Sequence, residues 1–185
     1  MNRNLQQRFE NLHSEDRQVQ HAAFMYVLKA TDKPVDWAYD VWDGLLRDLT
    51  HKDNHVRAIA AQVLCNLAKS DPKKRMLRDF EALLRVTKDE RFVTARHALL
   101  ALWKVGAAGP KQRKLLLKGL ERRFRECIRE KNCTLIRFDI IQDLERLHDQ
   151  VGDEDVKARA LAWIQTEKDL KYRKKYASVW RRAAA

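Results

Sequence analysis

Apolar and small residues recur along this chain at helical spacing, and the pattern repeats every 38 residues. Pro34, Pro72 and Pro110 mark the period. An alanine stands twelve residues before each proline, and a Tyr or Leu stands eight before, so one apolar helical stripe occurs three times. A fixed period of this length is typical of stacked repeats. Each repeat is therefore predicted to be two helices, the second of which ends near the proline.

The same pattern gives the limits of the predicted elements. First helices are predicted near residues 3–12, 36–49, 73–87 and 111–130, second helices near 15–31, 53–69, 89–106 and 132–149, and a closing pair near 153–166 and 168–182. Five Gly and three Pro in 185 residues leave few places for the chain to turn. The fold class is therefore predicted to be all-α, in a single domain over residues 1–185. Its predicted repeats span approximately residues 3–34, 35–72, 73–110 and 111–152, followed by the closing pair 153–182.

One segment carries a family resemblance. Residues 45–72, LLRDLTHKDNHVRAIAAQVLCNLAKSDP, resemble a HEAT repeat: a leucine-rich helix, an aspartate in the turn, then Val-Arg, Ala-Ala and Leu along a second helix. The resemblance extends more loosely over most of the chain. It implies a right-handed α-solenoid of about five helix pairs, with first helices on the convex side and second helices on the concave side.

Within that resemblance, some charged residues match a structural ladder. Asp53 and Arg57 match the turn aspartate and helix arginine that HEAT proteins use to connect neighbouring repeats. The third and fourth repeats offer similar residues at shifted spacings, namely Asp89 with Arg96 and Asn132 with Arg137. These arginines are interpreted as ladder members rather than ligand contacts.

The net charge of +12 is concentrated in two segments. Residues 111–131 hold nine basic and three acidic side chains, and residues 168–185 hold seven and one. In the first segment, six cations lie on one edge of the predicted helix over about 27 Å. We call these residues the basic edge: Lys111, Lys114, Lys118, Arg122, Arg125 and Arg129. The opposite, apolar side is Leu116, Leu117, Leu120, Phe124, Cys127 and Ile128.

The basic edge has two interpretations. A run of charge is usually a solvated helix face. However, the equivalent helix near residues 36–49 is acidic, and at residue 118 a lysine replaces the aromatic residue that the 38-residue period places there. These departures favour a docking surface for phosphate groups or an acidic protein.

The second basic segment, residues 168–185, contains aromatic residues between its cations. A second, lower-ranked binding site is predicted there, with the residues Lys171, Tyr172, Lys175, Tyr176 and Trp180. Basic groups among aromatic rings can hold a nucleic-acid backbone while bases stack on the rings. The alternative, which we favour, is that the rings cover the open end of the array, as a terminal repeat must.

No motif for catalysis, a cofactor or a metal is found. The chain has no Gly-rich phosphate loop, nucleophile elbow or paired-carboxylate signature. His51 and His55 have a spacing that can share a metal, but no third ligand is evident. Cys65, Cys127 and Cys133 form no CxxC pair and are interpreted as reduced thiols, mostly in the core. Because no apolar run of membrane length and no secretory leader is seen, a cytoplasmic location is predicted.

A second, fainter resemblance is to the HEAT-like alkylpurine DNA glycosylases. Residues 132–144, NCTLIRFDIIQDL, resemble the groove helix that carries their arginine, which implies that role for Arg137. Residues 159–165, RALAWIQ, include Trp163 and resemble another element of the groove in those glycosylases. Residues 89–106 supply Trp103, without the aspartate that follows the tryptophans of that family.

These observations predict a non-enzymatic HEAT-repeat binding or scaffold protein that docks a polyanionic partner through the basic edge. Nucleic acid and acidic protein both fit that chemistry. A HEAT-like glycosylase acting on alkylated bases is the alternative. No small-molecule substrate is predicted.

Overall fold

The computed structural model describes residues 2–181, and these residues form helices with no strand. The α-helices are α1 (Arg3–Asn11), α2 (Arg17–Ala30), α3 (Ala38–Asp48), α4 (Asn54–Leu67), α5 (Met76–Val86), α6 (Phe92–Leu99), α7 (Trp103–Ala107), α8 (Pro110–Glu126), α9 (Cys133–Val151), α10 (Glu154–Gln165) and α11 (Leu170–Arg181). Short 3-10 helices at Ala68–Ser70 and Cys127–Arg129 follow α4 and α8. The all-α prediction is confirmed. The predicted last position of the closing pair, 182, lies outside the described residues.

The chain divides into two compact units. The first ends at Ala101 and the second begins at Leu102. The prediction that residues 1–185 form a single domain stays a prediction. No helix within residues 2–181 is long and apolar enough to cross a membrane.

The core of the first unit follows the 38-residue pattern. Trp42 and Leu45 of α3 are buried, and so are Phe80 and Leu83 at the equivalent positions of α5. Helix α4 packs against α2, α3, α5 and α6, and most of its side chains are buried. Aspartates start the second helices: Asp16 accepts hydrogen bonds from the first-turn N–H groups of α2, and Asp53 does so for α4.

A ladder of ion pairs connects neighbouring repeats in this unit. Arg17 Nη1 lies 2.8 Å from Asp53 Oδ2. In the next repeat, Arg57 donates two hydrogen bonds to Asp89, at 2.6 and 2.9 Å. Each arginine thus reaches the turn aspartate of the following repeat.

In the second unit, α8 packs through its apolar side and α9 forms the centre. Leu116 and Leu120 of α8 are fully buried, as are Ile140 and Leu144 of α9. Helix α9 contacts α7, α8, α10 and α11. The position of α8 is therefore fixed by its core contacts, and its polar edge remains outside.

One predicted helix is corrected by the structure. The expected continuous helix over 89–106 consists of α6 and α7, separated by turns at residues 100–102. At the start of α7 the N–H of Trp103 donates to Asp143 Oδ2 at 3.1 Å. A side chain of α9 therefore accepts the hydrogen bond that a continuous helix would direct to the carbonyl four residues earlier.

Candidate functional site

The basic edge lies on the exposed side of α8 and on the 3-10 helix that follows it. Pro110 occupies the first turn of α8, where its missing N–H costs nothing. All six predicted cations are exposed. Five of them lie on α8, and Arg129 lies on the 3-10 helix. Their role in binding stays a prediction.

Four of these cations form no ion pair within the described residues. Among residues 2–181, no hydrogen bond, ion pair or ring contact engages Lys111, Lys114, Lys118 or Arg129. Arg125 Nη2 lies 2.6 Å from Glu121 Oε1, one helical turn away. The edge therefore presents positive charge that the unit itself leaves largely uncompensated.

Arg123 differs from the arginines beside it. Its side chain is buried, and it donates hydrogen bonds of 2.6 and 2.8 Å to the carboxylate of Glu130. This pair ties the end of α8 to the turn before α9. Helical spacing already places Arg123 on the apolar side of α8, three positions after Leu120 and four before Cys127. The spacing does not identify its partner, because Glu130 lies seven residues away and outside the ordinary helical pairings.

A cavity of about 400 Å³ runs between α8 and α10, beside the basic edge. Lys114 and Lys118 line its α8 side. The other polar lining consists of residues already engaged in ion pairs: Arg113 with Asp153 at 2.6 Å, Arg159 with Asp155 at 2.8 Å, and Glu121 with Arg125. The hydrogen bond from Arg113 holds the pKa of Asp153 below its ordinary value. The cavity therefore contains fixed charges of both signs and two uncompensated lysines.

A second cavity, of about 320 Å³, lies further along the same two helices and has one apolar wall beside charged residues that include Arg125 and Arg137. It shares Glu121 with the first cavity and is lined by Phe124, Ile128 and Trp163. The rings of Phe124 and Trp163 lie 5.7 Å apart between centroids. We call the two cavities together the α8–α10 groove.

Ile128 corrects a detail of the predicted packing. It was expected on the buried side of the helix, but 64% of its surface is exposed. The α-helix ends at Glu126, and residues 127–129 tighten into a 3-10 helix. The smaller number of residues per turn rotates the isoleucine away from the core and into the groove.

Arg137 is held in the wall of the groove. Its guanidinium donates to Glu167 at 2.9 Å and to the Phe124 carbonyl at 3.2 Å, and it lies 4.6 Å from the centroid of the Phe124 ring. Burial acts to lower the pKa of Arg137, but the hydrogen bond to Glu167 and the surrounding electrostatic interactions together outweigh burial, so the pKa is raised. Arg137 is thus permanently charged and tied to its own unit.

The residues of the glycosylase alternative are only partly brought together. Arg137 and Trp163 line the same cavity. Trp103 is not among the lining residues of that cavity. Its backbone N–H donates a hydrogen bond to Asp143 Oδ2.

The aromatic residues of the second basic segment pack against α9. Tyr176 is buried, and its hydroxyl donates to the Thr134 carbonyl at 2.9 Å. Tyr172 lies beside it, with ring centroids 6.3 Å apart, and Trp180 stacks edge-on to His148 at 5.5 Å. Lys171 and Lys175 are exposed. These contacts favour the closing role for the rings over base stacking.

A further cavity in the first unit was not anticipated. It is an open cleft of about 420 Å³ along the second helices α2, α4 and α6, lined by His21, His55 and His97 among others. Burial lowers the pKa of His97, and the charge of Arg96 acts in the same direction. Across residues 2–181, no group of three or more His, Cys, Asp or Glu side chains is arranged to hold a metal ion.

The three cysteines are free thiols. Cys65 and Cys127 are buried and Cys133 is half-buried. The Sγ atoms of Cys127 and Cys133 lie 3.0 Å apart, and burial raises the pKa of the Cys127 thiol to about 12.

Comparisons with solved structures agree with this architecture. An engineered protein of known crystal structure is 18% identical with a TM-score of 0.55, over 97% of this chain and 78% of that chain. A second engineered protein is 19% identical with a TM-score of 0.54, over 97% and 79%. The fold is an all-α solenoid of HEAT-like helix pairs. No family model matches the chain, and no curated protein matches it.

Proposed function

We propose that this solenoid is a non-enzymatic binding protein that docks a polyanionic partner along the basic edge of α8. The observation that carries the proposal is the set of four exposed cations, Lys111, Lys114, Lys118 and Arg129, that no described residue neutralises. Like charges at these helical spacings repel by a few tenths of a kcal/mol per pair. A bound anion removes that repulsion.

The geometry also suits a linear partner. Lys111 and Arg129 lie about 27 Å apart along the helix axis, at about 1.5 Å per residue. Because α8 is anchored by buried leucines, the cations are presented on a rigid support, and little ordering of the backbone is required when a partner binds.

The test is a salt-resolved binding titration. Wild-type protein is titrated into fluorescein-labelled duplex DNA, single-stranded RNA and poly-glutamate at about 50 mM salt, and the DNA series is repeated at rising salt. If four phosphates are neutralised, a plot of the logarithm of the binding constant for duplex DNA against the logarithm of the salt concentration should have a slope of about −3.6. Lys114→Glu/Lys118→Glu should reduce affinity at least tenfold for whichever polymer binds.

A matched control separates local from global charge. Lys33→Glu/Lys52→Glu changes the net charge equally but alters exposed lysines of the first unit. It should retain most of the affinity. Equal losses in both double variants, or no binding of any polymer by the wild-type protein, would reject the proposal.

The glycosylase alternative is supported by Arg137 and Trp163, which line one cavity beside the basic edge. Its test is release of free base from alkylated duplex DNA by the wild-type protein, repeated with Arg137→Ala. If the unmutated protein releases no base, the alternative is rejected, while docking through the basic edge is unaffected.

A further inference from the structure

We infer that the α8–α10 groove binds an acidic segment of a partner protein, which places carboxylates at Lys114 and Lys118 and one large apolar side chain beside Ile128. The inference rests on the proposed function and names its partner as a protein rather than a nucleic acid.

The charges in the groove discriminate between these partners. Asp153, Asp155 and Glu121 line the cavity between α8 and α10, each held by an arginine. The phosphodiester linkages of a nucleic acid carry no hydrogen-bond donor and would meet these carboxylates with like charge. A polypeptide carries N–H donors that such carboxylates accept, so it can occupy the same space.

The free cations supply charge complementarity with an acidic segment. Lys114 and Lys118 stand one helical turn apart on the α8 wall of the groove, with no partner among the described residues. Carboxylates of a bound segment would form charge-assisted hydrogen bonds there. Electrostatic complementarity of this kind mainly sets orientation and association rate.

The apolar wall of the second cavity supplies an anchor point. Ile128 is 64% exposed and borders a space whose other walls include Phe124 and Trp163. Its volume of about 320 Å³ is at the lower end of the range for ligand pockets. Because Arg137 is fixed by Glu167 and the Phe124 carbonyl, this wall is already formed before a partner arrives.

The two cavities fix the order of features in the partner. Lys114 and Ile128 are about 21 Å apart along the helix axis, which corresponds to roughly six or seven residues of extended chain. The bound segment should therefore carry acidic residues at one end and a leucine- or phenylalanine-sized residue about six positions away.

The experiment compares two labelled peptides by fluorescence anisotropy. Both are ten residues long, with glutamates at one end; one carries leucine and the other serine six positions from the glutamates. In the reversed versions the leucine or serine precedes the glutamates. Wild-type protein should bind the leucine peptide about tenfold more tightly in the favoured orientation, because burying one apolar side chain gives a gain of that size or larger.

Ile128→Ser should remove the preference for leucine while leaving the affinity for the serine peptide and for poly-glutamate unchanged. Leu170→Ser is the matched control, because Leu170 is also 64% exposed in the second unit but does not line the groove. It should keep the preference. Circular dichroism checks that both variants are folded.

The outcomes separate this inference from the proposed function. If poly-glutamate or DNA binds and Lys114→Gln/Lys118→Gln weakens it, but leucine gives no advantage in either orientation, docking stands and the peptide groove is rejected. If nothing binds, both are rejected. Equal leucine preference in wild type and Ile128→Ser also overturns the groove as the site of the apolar anchor.

Discussion

At the scale of one residue, packing changes the pKa of the Asp143 carboxyl group. Its carboxyl is fully buried on α9; Oδ2 accepts the Trp103 N–H, and Oδ1 has no hydrogen-bond partner within the described residues. Burial raises its pKa well above the ordinary 3.8, and neighbouring Arg146 opposes that change. Burial therefore favours the protonated form of this carboxyl, which accepts the hydrogen bond that starts α7.

The Asp143→Asn variant should lose part of the pH dependence of stability. The folded state keeps this proton where the unfolded chain has released it, so the stability is complete below about pH 3.8 and falls as pH rises to the raised pKa. The slope due to one group is at most about 1.4 kcal/mol per pH unit. Asparagine keeps an acceptor for Trp103 and does not ionise.

Urea unfolding of both proteins between pH 5 and 9 measures this effect. The difference in unfolding free energy between variant and wild type should grow in favour of the variant as pH rises. Parallel curves would contradict the assignment of this pH dependence to Asp143.

At the scale of the element, α7, α8 and α9 meet at a single small residue. A Cβ on Gly106 of α7 would lie 2.6 Å from Leu116 Cδ2 of α8 and 3.0 Å from Leu147 Cδ2 of α9. These distances are too short for an unmoved side chain. The close approach of the three helices therefore depends on glycine at this position.

Gly106→Ala should destabilise the protein by about 1–3 kcal/mol, because two packed leucines must move. Gly44→Ala is the control: it lies inside α3, and its nearest neighbour would be 3.8 Å away. Alanine there should be neutral or stabilise by up to about 1 kcal/mol through helix propensity. Chemical denaturation of both variants measures the contrast, and similar values would contradict the packing argument.

The ladder is the other feature that belongs to whole elements, since it connects α4 to the turn before α6. The Asp89 side chain is 5% exposed, and it accepts from Arg57 and from the Arg91 N–H. Burial acts to raise the pKa of Asp89, but these hydrogen bonds outweigh it and lower the pKa. Its stabilising effect should therefore be lost as pH falls below about 3.8, opposite in sign to that of Asp143.

Asp89→Ala should cost about 3 kcal/mol of unfolding free energy, because it leaves a mostly buried guanidinium without its carboxylate. Asp155→Ala removes an ion pair with Arg159 whose carboxylate is 60% exposed, and it should cost about 0.5 kcal/mol or less. Equal costs, measured by urea unfolding at pH 7, would show that the ladder is energetically no different from a surface pair.

At the scale of the whole molecule, the net charge of +12 opposes folding by self-repulsion. Raising NaCl from about 20 to 200 mM shortens the Debye length from about 20 to about 7 Å, so the repulsion is screened. The melting temperature should therefore rise. Lys33→Glu/Lys52→Glu, which lowers the net charge, should show a smaller rise. A melting temperature that falls with salt in both proteins would mean that the attractive pairs dominate.

The sequence by itself determined the helices, their 38-residue period and the basic edge of α8. These are local properties: helical spacing places residues on one side of a helix whatever that helix packs against. The tertiary structure alone decided how the buried cation is paired. Helical spacing places Arg123 on the apolar side of α8, and only the folded chain brings the Glu130 carboxylate to its guanidinium.

The tertiary structure also created the α8–α10 groove, for a related physical reason. Lys114 and Arg159 are 45 positions apart, and only the packing of two helices on α9 brings them to one cavity. The break before α7 likewise depends on Asp143, a distant side chain that competes for one backbone N–H. Periodicity specifies each helix, whereas partners across helices depend on contacts that no local pattern contains.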